Sequence, residues 1–291
     1  MQTAQHHSMN TIQIIASALY TYPVKACAPC PVDRLDFDDD GLLLGDRAWA
    51  VVDEQSSVVW QGSHPRLALV MPELTDGVLF LRNPDGHRVE INQAPDCSPC
   101  QIQIWNNRTK RNDLFAATDE GAAAAEFLRR TVGARGLRLV RLGREARCRE
   151  GVNPVHIVSS ASVEEFNDEL ARTGHAPASI ERFRPNLVIS APPGDEAFWL
   201  PFMEEHFTSL DWTDEAAQRS SLVIGDLCVR CVVPNVDPAS ASVDDRVLQT
   251  VGSLSAQRHP GKPVYFGVYA KTPAARTALR RGAVLTAQLA F

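Results

Sequence analysis

The chain has 291 residues, 44% hydrophobic and 22% charged, which is enough for one large or two moderate globular domains. A formal net charge of −6 argues against nucleic acid as the main partner, because phosphate backbones are usually met by a basic face. No apolar run approaches the roughly 18 residues that span a bilayer, so no membrane partner is expected.

In chain order, the apolar TIQIIASALY follows the polar MQTAQHHSMN without a cationic leader, so it reads as a first strand and not a signal peptide. The absence of an export signal gives a cytoplasmic expectation. From there to about residue 115, RLDF, RAWAVVDE, SVVWQ, LALVMPEL, GVLFLRN, RVEIN and QIQIW are short apolar or alternating runs. Turn clusters such as DDDG, NPDG and QAPD separate them, a pattern that predicts a barrel or sandwich. TDEGAAAAEFLRRTV changes period and predicts a helix capped by Thr118 or Asp119, with acids in its first turn and arginines in its last. Gly133 and Gly136 end it, and LRLVRLG is one more strand.

The charged REARCREGVN reads as a linker around residues 143 to 152. Beyond it VHIVSS is a strand, and Ser160 or Ser162 caps the helix VEEFNDELAR, Ser162 with Glu165 forming a capping-box pattern. RPNLVIS is a strand, 194–220 is a loop with a short helix, and SLVIGDLCVRCVV is a strand pair about Gly225. VYFGVYAKT and AVLTAQLAF supply two more strands. The fold class is therefore mainly β with some helix (α+β).

Seven cysteines exclude a fully paired disulfide framework, and six of them form the C-x-x-C pairs Cys27/Cys30, Cys97/Cys100 and Cys228/Cys231. In a reducing compartment such pairs suggest metal or redox chemistry before covalent staples. The first two pairs could build a Cys₄ zinc site, although their wide separation is unusual for compact zinc modules. A thioredoxin-type role requires a helix at the first cysteine, and alternating VDRLDF and QIQIW follow instead. Surface thiols are the simpler reading for Cys97 and Cys100, and Cys148 has no partner by spacing. LCVRCVVPNVDP differs, because Arg230 beside Cys228 and Cys231 would stabilise a thiolate, a good ligand for soft or high-valent metals. Strand alternation there would turn a cysteine to a pocket and Val232 to the core. Lys25 and Arg47, with Arg182, Arg184 and Asn186 in ERFRPN, supply cations and amide donors suited to a phosphate-bearing cofactor.

The ordered set YPVK, GDRAW, PRLALV, FRPN, CVRCVVPNVDP and FGVY resembles the two-part family in which an N-terminal MOSC β-barrel domain precedes a MOSC domain. That family includes bacterial MOSC proteins and the mitochondrial amidoxime-reducing component. The similarity runs from about residue 13 to about 285, each motif weak and their order specific. It implies an N-terminal domain over 13–142 and a MOSC domain over 152–291. It also implies a molybdenum–molybdopterin cofactor whose metal is bound by Cys231. Lys25, Ala26, Arg47, Arg184, Asn186, Val229 and Arg230 would hold the pterin and its phosphate, with Asn153 and Pro154 lining the same pocket. Ala26 stands where the family often has serine, removing a hydroxyl worth about 1 kcal/mol of binding.

The resemblance further implies reduction of N-hydroxylated small molecules, such as amidoximes and N-hydroxylamino bases. Asp237 would either assist proton delivery or cap its turn. No internal iron–sulfur cluster is expected, so a separate ferredoxin, flavodoxin or cytochrome would supply electrons. The competing readings are a non-redox cofactor-binding or sulfur-carrier protein, with an exposed persulfide at Cys228, and a zinc-stabilised interaction module.

Overall fold

The computed structural model describes residues 11–91, 97–149, 152, 154–272 and 276–290. Its first half comprises strands β1 (Thr11–Thr21), β2 (Cys30–Val32), β3 (Arg34–Asp36), β4 (Trp49–Val52), β5 (Met71–Thr75), β6 (Val78–Arg82), β7 (Arg88–Ile91), β8 (Ser98–Asn106) and β9 (Arg111–Asp119). Helix α1 (Ala122–Val132), strand β10 (Arg138–Leu142) and the short α2 (Arg144–Arg147) follow. The second half holds β11 (Val155–Ser159), α3 (Ser160–Arg172), β12 (Leu187–Ser190), β13 (Phe207–Thr213), β14 (Arg219–Val229), α4 (Arg246–Arg258), β15 (Tyr265–Lys271), β16 (Ala278–Arg280) and β17 (Val284–Leu289).

Seven strands close a barrel in the order β12-β11-β15-β14-β13-β17-β1, with β1 returning to β12. The expected mainly-β architecture is what forms. β1 comes from the opposite end of the chain to its neighbours. Thr11–Ile15 pair with β17, and Ile15–Leu19 pair with β12. Ile14 and Ala16 point inward by period-two alternation, and a register shift between Ala16 and Ala18 changes the phase so that Leu19 is buried too. They meet Ile157, Ile189, Leu210, Leu222, Val268 and Leu285 in the barrel core. The first half has its own core, where α1 packs Phe127 and Leu128 against Leu67, Leu79 and Leu81. A third cluster under α3 and α4 centres on Phe183 and Phe266, stacked at 4.1 Å, with Phe166 edge-on to Phe183.

Several local expectations need correction. Thr118 and Asp119 do not cap α1; they end β9, and Asp119 ties Arg138 and the Gly121 N–H instead. The first turn of α1 holds no acid, although Arg129 and Arg130 and the left-handed Gly133 end it as expected. SLVIGDLCV is one strand, not a pair, its register slipping between Ile224 and Leu227. SVVWQ makes only isolated bridges. β9 and α4 lie where no element was read, and β13 lies in the span read as a loop with a short helix.

The capping box at Ser162 is also absent. Ser159 occupies the N-cap position, and Ser162 lies buried in the first turn, its hydroxyl donating to the fully buried Glu204 carboxylate at 2.9 Å. The Ser159 N–H donates to the same carboxylate at 3.2 Å, so a distant glutamate caps α3. Burial pushes the Glu204 pKa from 4.5 up to about 7, against the opposing pull of these hydrogen bonds. A folded-state pKa above the unfolded value means that this contribution to stability is present at low pH and fades as pH rises through about 7. Glu204→Gln is therefore expected to flatten the fall in thermal midpoint between pH 5 and 8, measured by scanning calorimetry.

Candidate cofactor and active site

The two halves meet around Tyr22, which is fully buried at the exit of β1. Its backbone N–H donates to Asp46 Oδ1 at 2.6 Å, and its hydroxyl donates to the Pro185 carbonyl at 3.1 Å. The Arg184 and Arg47 guanidiniums lie over the Tyr22 ring, 4.2 and 4.7 Å from its centroid. Beside it, Asn186 uses every side-chain lone pair and proton it has room for. Its Nδ2 donates to Tyr20 O and Asp46 Oδ1, and its Oδ1 accepts from Arg47 Nη1 at 3.0 Å and from the His156 N–H. Asp46 in turn pairs with Arg47. One tyrosine and one asparagine thus fix two arginines at the seam.

Those arginines line a cleft of about 400 Å³ between the halves. Lys25, Arg47, Arg147, Arg149, Arg184 and Arg230 all face it, against Asp46 as the one acidic lining residue among those described. Ala26, Arg47 and Arg184 adopt left-handed backbone conformations at φ of 66°, 46° and 58°. Such conformations cost energy in non-glycine residues and persist where the surroundings impose them, often at functional sites. Here Arg47 N–H is tied to Tyr22 O, Lys25 N–H to Trp49 O, and Arg184 Nη1 to Cys27 O.

Burial and neighbouring charge act together on these cations. Partial burial, with Arg149 and Arg47 nearby, lowers Lys25 to about 8. Burial, with Arg47 adding to it, lowers Arg184 to about 10. Arg230 Nε and Arg147 Nε are buried without a hydrogen-bond partner in this structure, while Arg147 Nη2 stands 3.7 Å from Asp38 Oδ2 in an ion pair. Buried donors normally find acceptors, so the cleft has the charge and the open valences of an anion site.

β14 delivers the cysteines. Cys228, on its last turn of pleat, is 2% exposed and receives Arg230 Nη1 at 3.0 Å, while Arg230 Nη2 donates to Phe183 O at 3.0 Å. Burial alone would raise the Cys228 pKa; the His156 and Arg230 charges and hydrogen bonds from His156 and Tyr269 bring it down to about 6. Cys231 lies just past the strand, exposed and lining the cleft with Val229. Val232 does not enter the core as expected: it is 43% exposed, because the chain leaves the sheet at Val229 and alternation lapses.

Of the residues singled out in the sequence, Lys25, Ala26, Arg47, Arg184, Val229, Arg230 and Cys231 come together at the cleft. Asn186 stands behind it as a brace. Asp237 does not line it; its carboxylate accepts from Arg182 Nη2 at 2.7 Å and from Ala239 and Ser240 of its own turn, the capping alternative. Asn153 lies outside the described residues, and its neighbour Pro154 lines the cleft. Missed were Arg147 and Arg149, hidden in what read as a linker, and His156, Trp60 and Tyr269. Tyr269 stood in the quoted FGVY, and Tyr22 and Asp46 in YPVK and GDRAW. Among the described residues no group of three His, Cys, Asp or Glu side chains is placed to hold a metal, so the four-cysteine zinc arrangement does not form. Cys27 is buried in the first-half core instead. A persulfide at Cys228 loses its premise of exposure.

The MOSC N-terminal beta barrel domain matches residues 13–135, and the MOSC domain matches residues 150–286. The chain belongs to the MOSC family. Mitochondrial amidoxime reducing component 2 of Rattus norvegicus is 28% identical over 288 residues, covering 87% of this chain and 77% of that protein. Mitochondrial amidoxime-reducing component 1 of Xenopus laevis is 28% identical over 283 residues, covering 88% and 77%. Molybdenum cofactor sulfurase of Anopheles gambiae is 25% identical over 291 residues, and the chain spans 35% of its length. In spatial terms the first MOSC segment contributes β1 to the barrel of the second, so the two matched segments share one closed sheet.

Proposed function

We propose that this MOSC protein is a molybdenum-cofactor-dependent reductase of N-hydroxylated small molecules, acting in the cytoplasm with electrons from a separate ferredoxin, flavodoxin or cytochrome. The observation that carries the reading is an exposed thiol, Cys231, at a cleft where six cations gather around unpartnered guanidinium nitrogens. The donor set fits the group: a soft sulfur ligand beside phosphate-binding cations. The cofactor, when bound, supplies oxygen-atom acceptance and two-electron transfer. The protein's task is to hold and orient it. Lys25, Arg47 and Arg184 would take the phosphate, and Cys231 the metal. Arg230, clamped between the Cys228 thiolate and Phe183 O, would keep its free Nε toward the cofactor.

Removing oxygen from an amidoxime consumes two electrons and two protons and releases water. Tyr269 and His156 both line the cleft. The two His156 ring nitrogens each face a carbonyl oxygen, Arg184 O and Phe266 O, at 3.3 Å. The relatives named for amidoxime reduction support the substrate class. The test is turnover of benzamidoxime by molybdenum-loaded protein with a chemically reduced viologen as donor, following benzamidine by chromatography. Molybdenum-dependent benzamidine is the expected result; a loaded protein that reduces neither benzamidoxime nor N-hydroxycytosine is instead a cofactor carrier.

A further inference from the structure

The cleft has a second wall of different character. Ala50, Val58, Trp60, Ile104 and Leu142 line it with hydrocarbon, beside the cations. Ile104, Leu142 and Ala50 are buried, which leaves Trp60, 41% exposed, as the large accessible surface of that wall. Its backbone is held in a turn. The Trp60 carbonyl accepts from the Ser63 and His64 N–H groups at 3.1 and 2.9 Å and from the Ser63 hydroxyl at 3.0 Å. The ring folds over Gly62: a Cβ there would lie 2.5 Å from one indole carbon and 2.6 Å from the next. A side chain at position 62 would displace the ring from this seat. An indole held in place, with its remaining surface open to a cleft, is a stacking platform, since flat π-systems gain most from offset contact with another flat ring.

Resting on the reductase reading above, we infer that Trp60 is a specificity-determining residue that selects N-hydroxylated substrates conjugated to a planar ring, aryl amidoximes and N-hydroxylated nucleobases, over saturated ones. Gly62 is its positioning residue. The cations do not discriminate between such compounds, because the neutral N-hydroxylated group is the same in both. The shape of the attached group is what remains to be read.

The experiment compares benzamidoxime with cyclohexanecarboxamidoxime, which carries the same reacting group on a ring of similar size that is neither flat nor less apolar. Dissociation constants are measured by calorimetry on molybdenum-loaded protein without reductant, so that nothing turns over. Wild type is expected to bind benzamidoxime about fivefold more tightly than the saturated analogue, a typical aromatic-pair preference. Trp60→Ala and Gly62→Ala should both bring that ratio to about one, and Trp60→Phe should retain most of it. Circular dichroism and thermal midpoint confirm that each variant is folded. An unchanged ratio in Trp60→Ala overturns the inference, as does equal weakening for both compounds. A loss of molybdenum or pterin from Trp60→Ala also overturns it, since the ring would then be holding the cofactor. If the loaded wild-type protein binds neither compound, the substrate class itself falls; if it reduces both and the ratio ignores Trp60, only the platform falls.

Discussion

Replacing Cys231 by alanine is expected to abolish molybdenum retention and to lower amidoxime turnover by at least about a hundredfold, the scale on which loss of a metal-site residue acts. The cleft's cations would still attract the phosphate, so pterin binding should weaken without vanishing. Stability should hardly change, because Cys231 is exposed and a surface truncation usually moves folding by less than about 0.5 kcal/mol. Those two results together separate a ligand from a structural residue. The measurement is metal content by plasma mass spectrometry on protein purified with molybdate supplied, beside a denaturant titration. Equal molybdenum in the variant and the wild type would remove the assignment of Cys231.

The second large effect belongs to a residue that does not line the cleft. Asn186→Ala deletes a fully buried amide that joins Tyr20, Asp46, Arg47 and His156. The His156 N–H and the Tyr20 carbonyl lose side-chain partners where water cannot replace them, and each such group costs about 1–3 kcal/mol. The expected destabilisation is about 3 kcal/mol, read as a lower denaturant midpoint at unchanged slope. Arg47 also loses the acceptor that holds it at the seam, so cofactor content should fall in protein that is still folded. A loss below about 1 kcal/mol would show that Asp46 alone suffices to hold the pair.

The architecture was readable where side-chain patterns are local. Short alternating runs between Asp, Asn, Pro and Gly clusters identify strands because turn chemistry and period two act over a few residues. The ordered motifs also placed Lys25, Arg47, Arg184 and Arg230 at one site. Contacts between distant segments left no local mark. The cap of α3 is Glu204, more than one helix length away, so the nearby Ser162–Glu165 spacing suggested a capping box that the chain does not use. β9 runs straight into the turn before α1, and its end residues Thr118 and Asp119 carried a cap signal that a pairing with β10 overrode. Arg147 and Arg149 sat in a charged stretch that resembles solvent-exposed linker, and only packing against the other half reveals them as lining. Trp60 was legible as an aromatic residue and nothing more, since its role depends on Gly62 beneath it and on a cleft formed by both halves.

β1 carries one more implication. Thr11 lies opposite Gln288, so a polypeptide leaving the ribosome presents this stave long before its neighbour exists. Until then the edge of β1 that β17 will cover has no companion, and contacts this remote in sequence must meet by slow chain diffusion. The closed barrel can therefore form only once the chain has been made through β17, when its first strand meets its last.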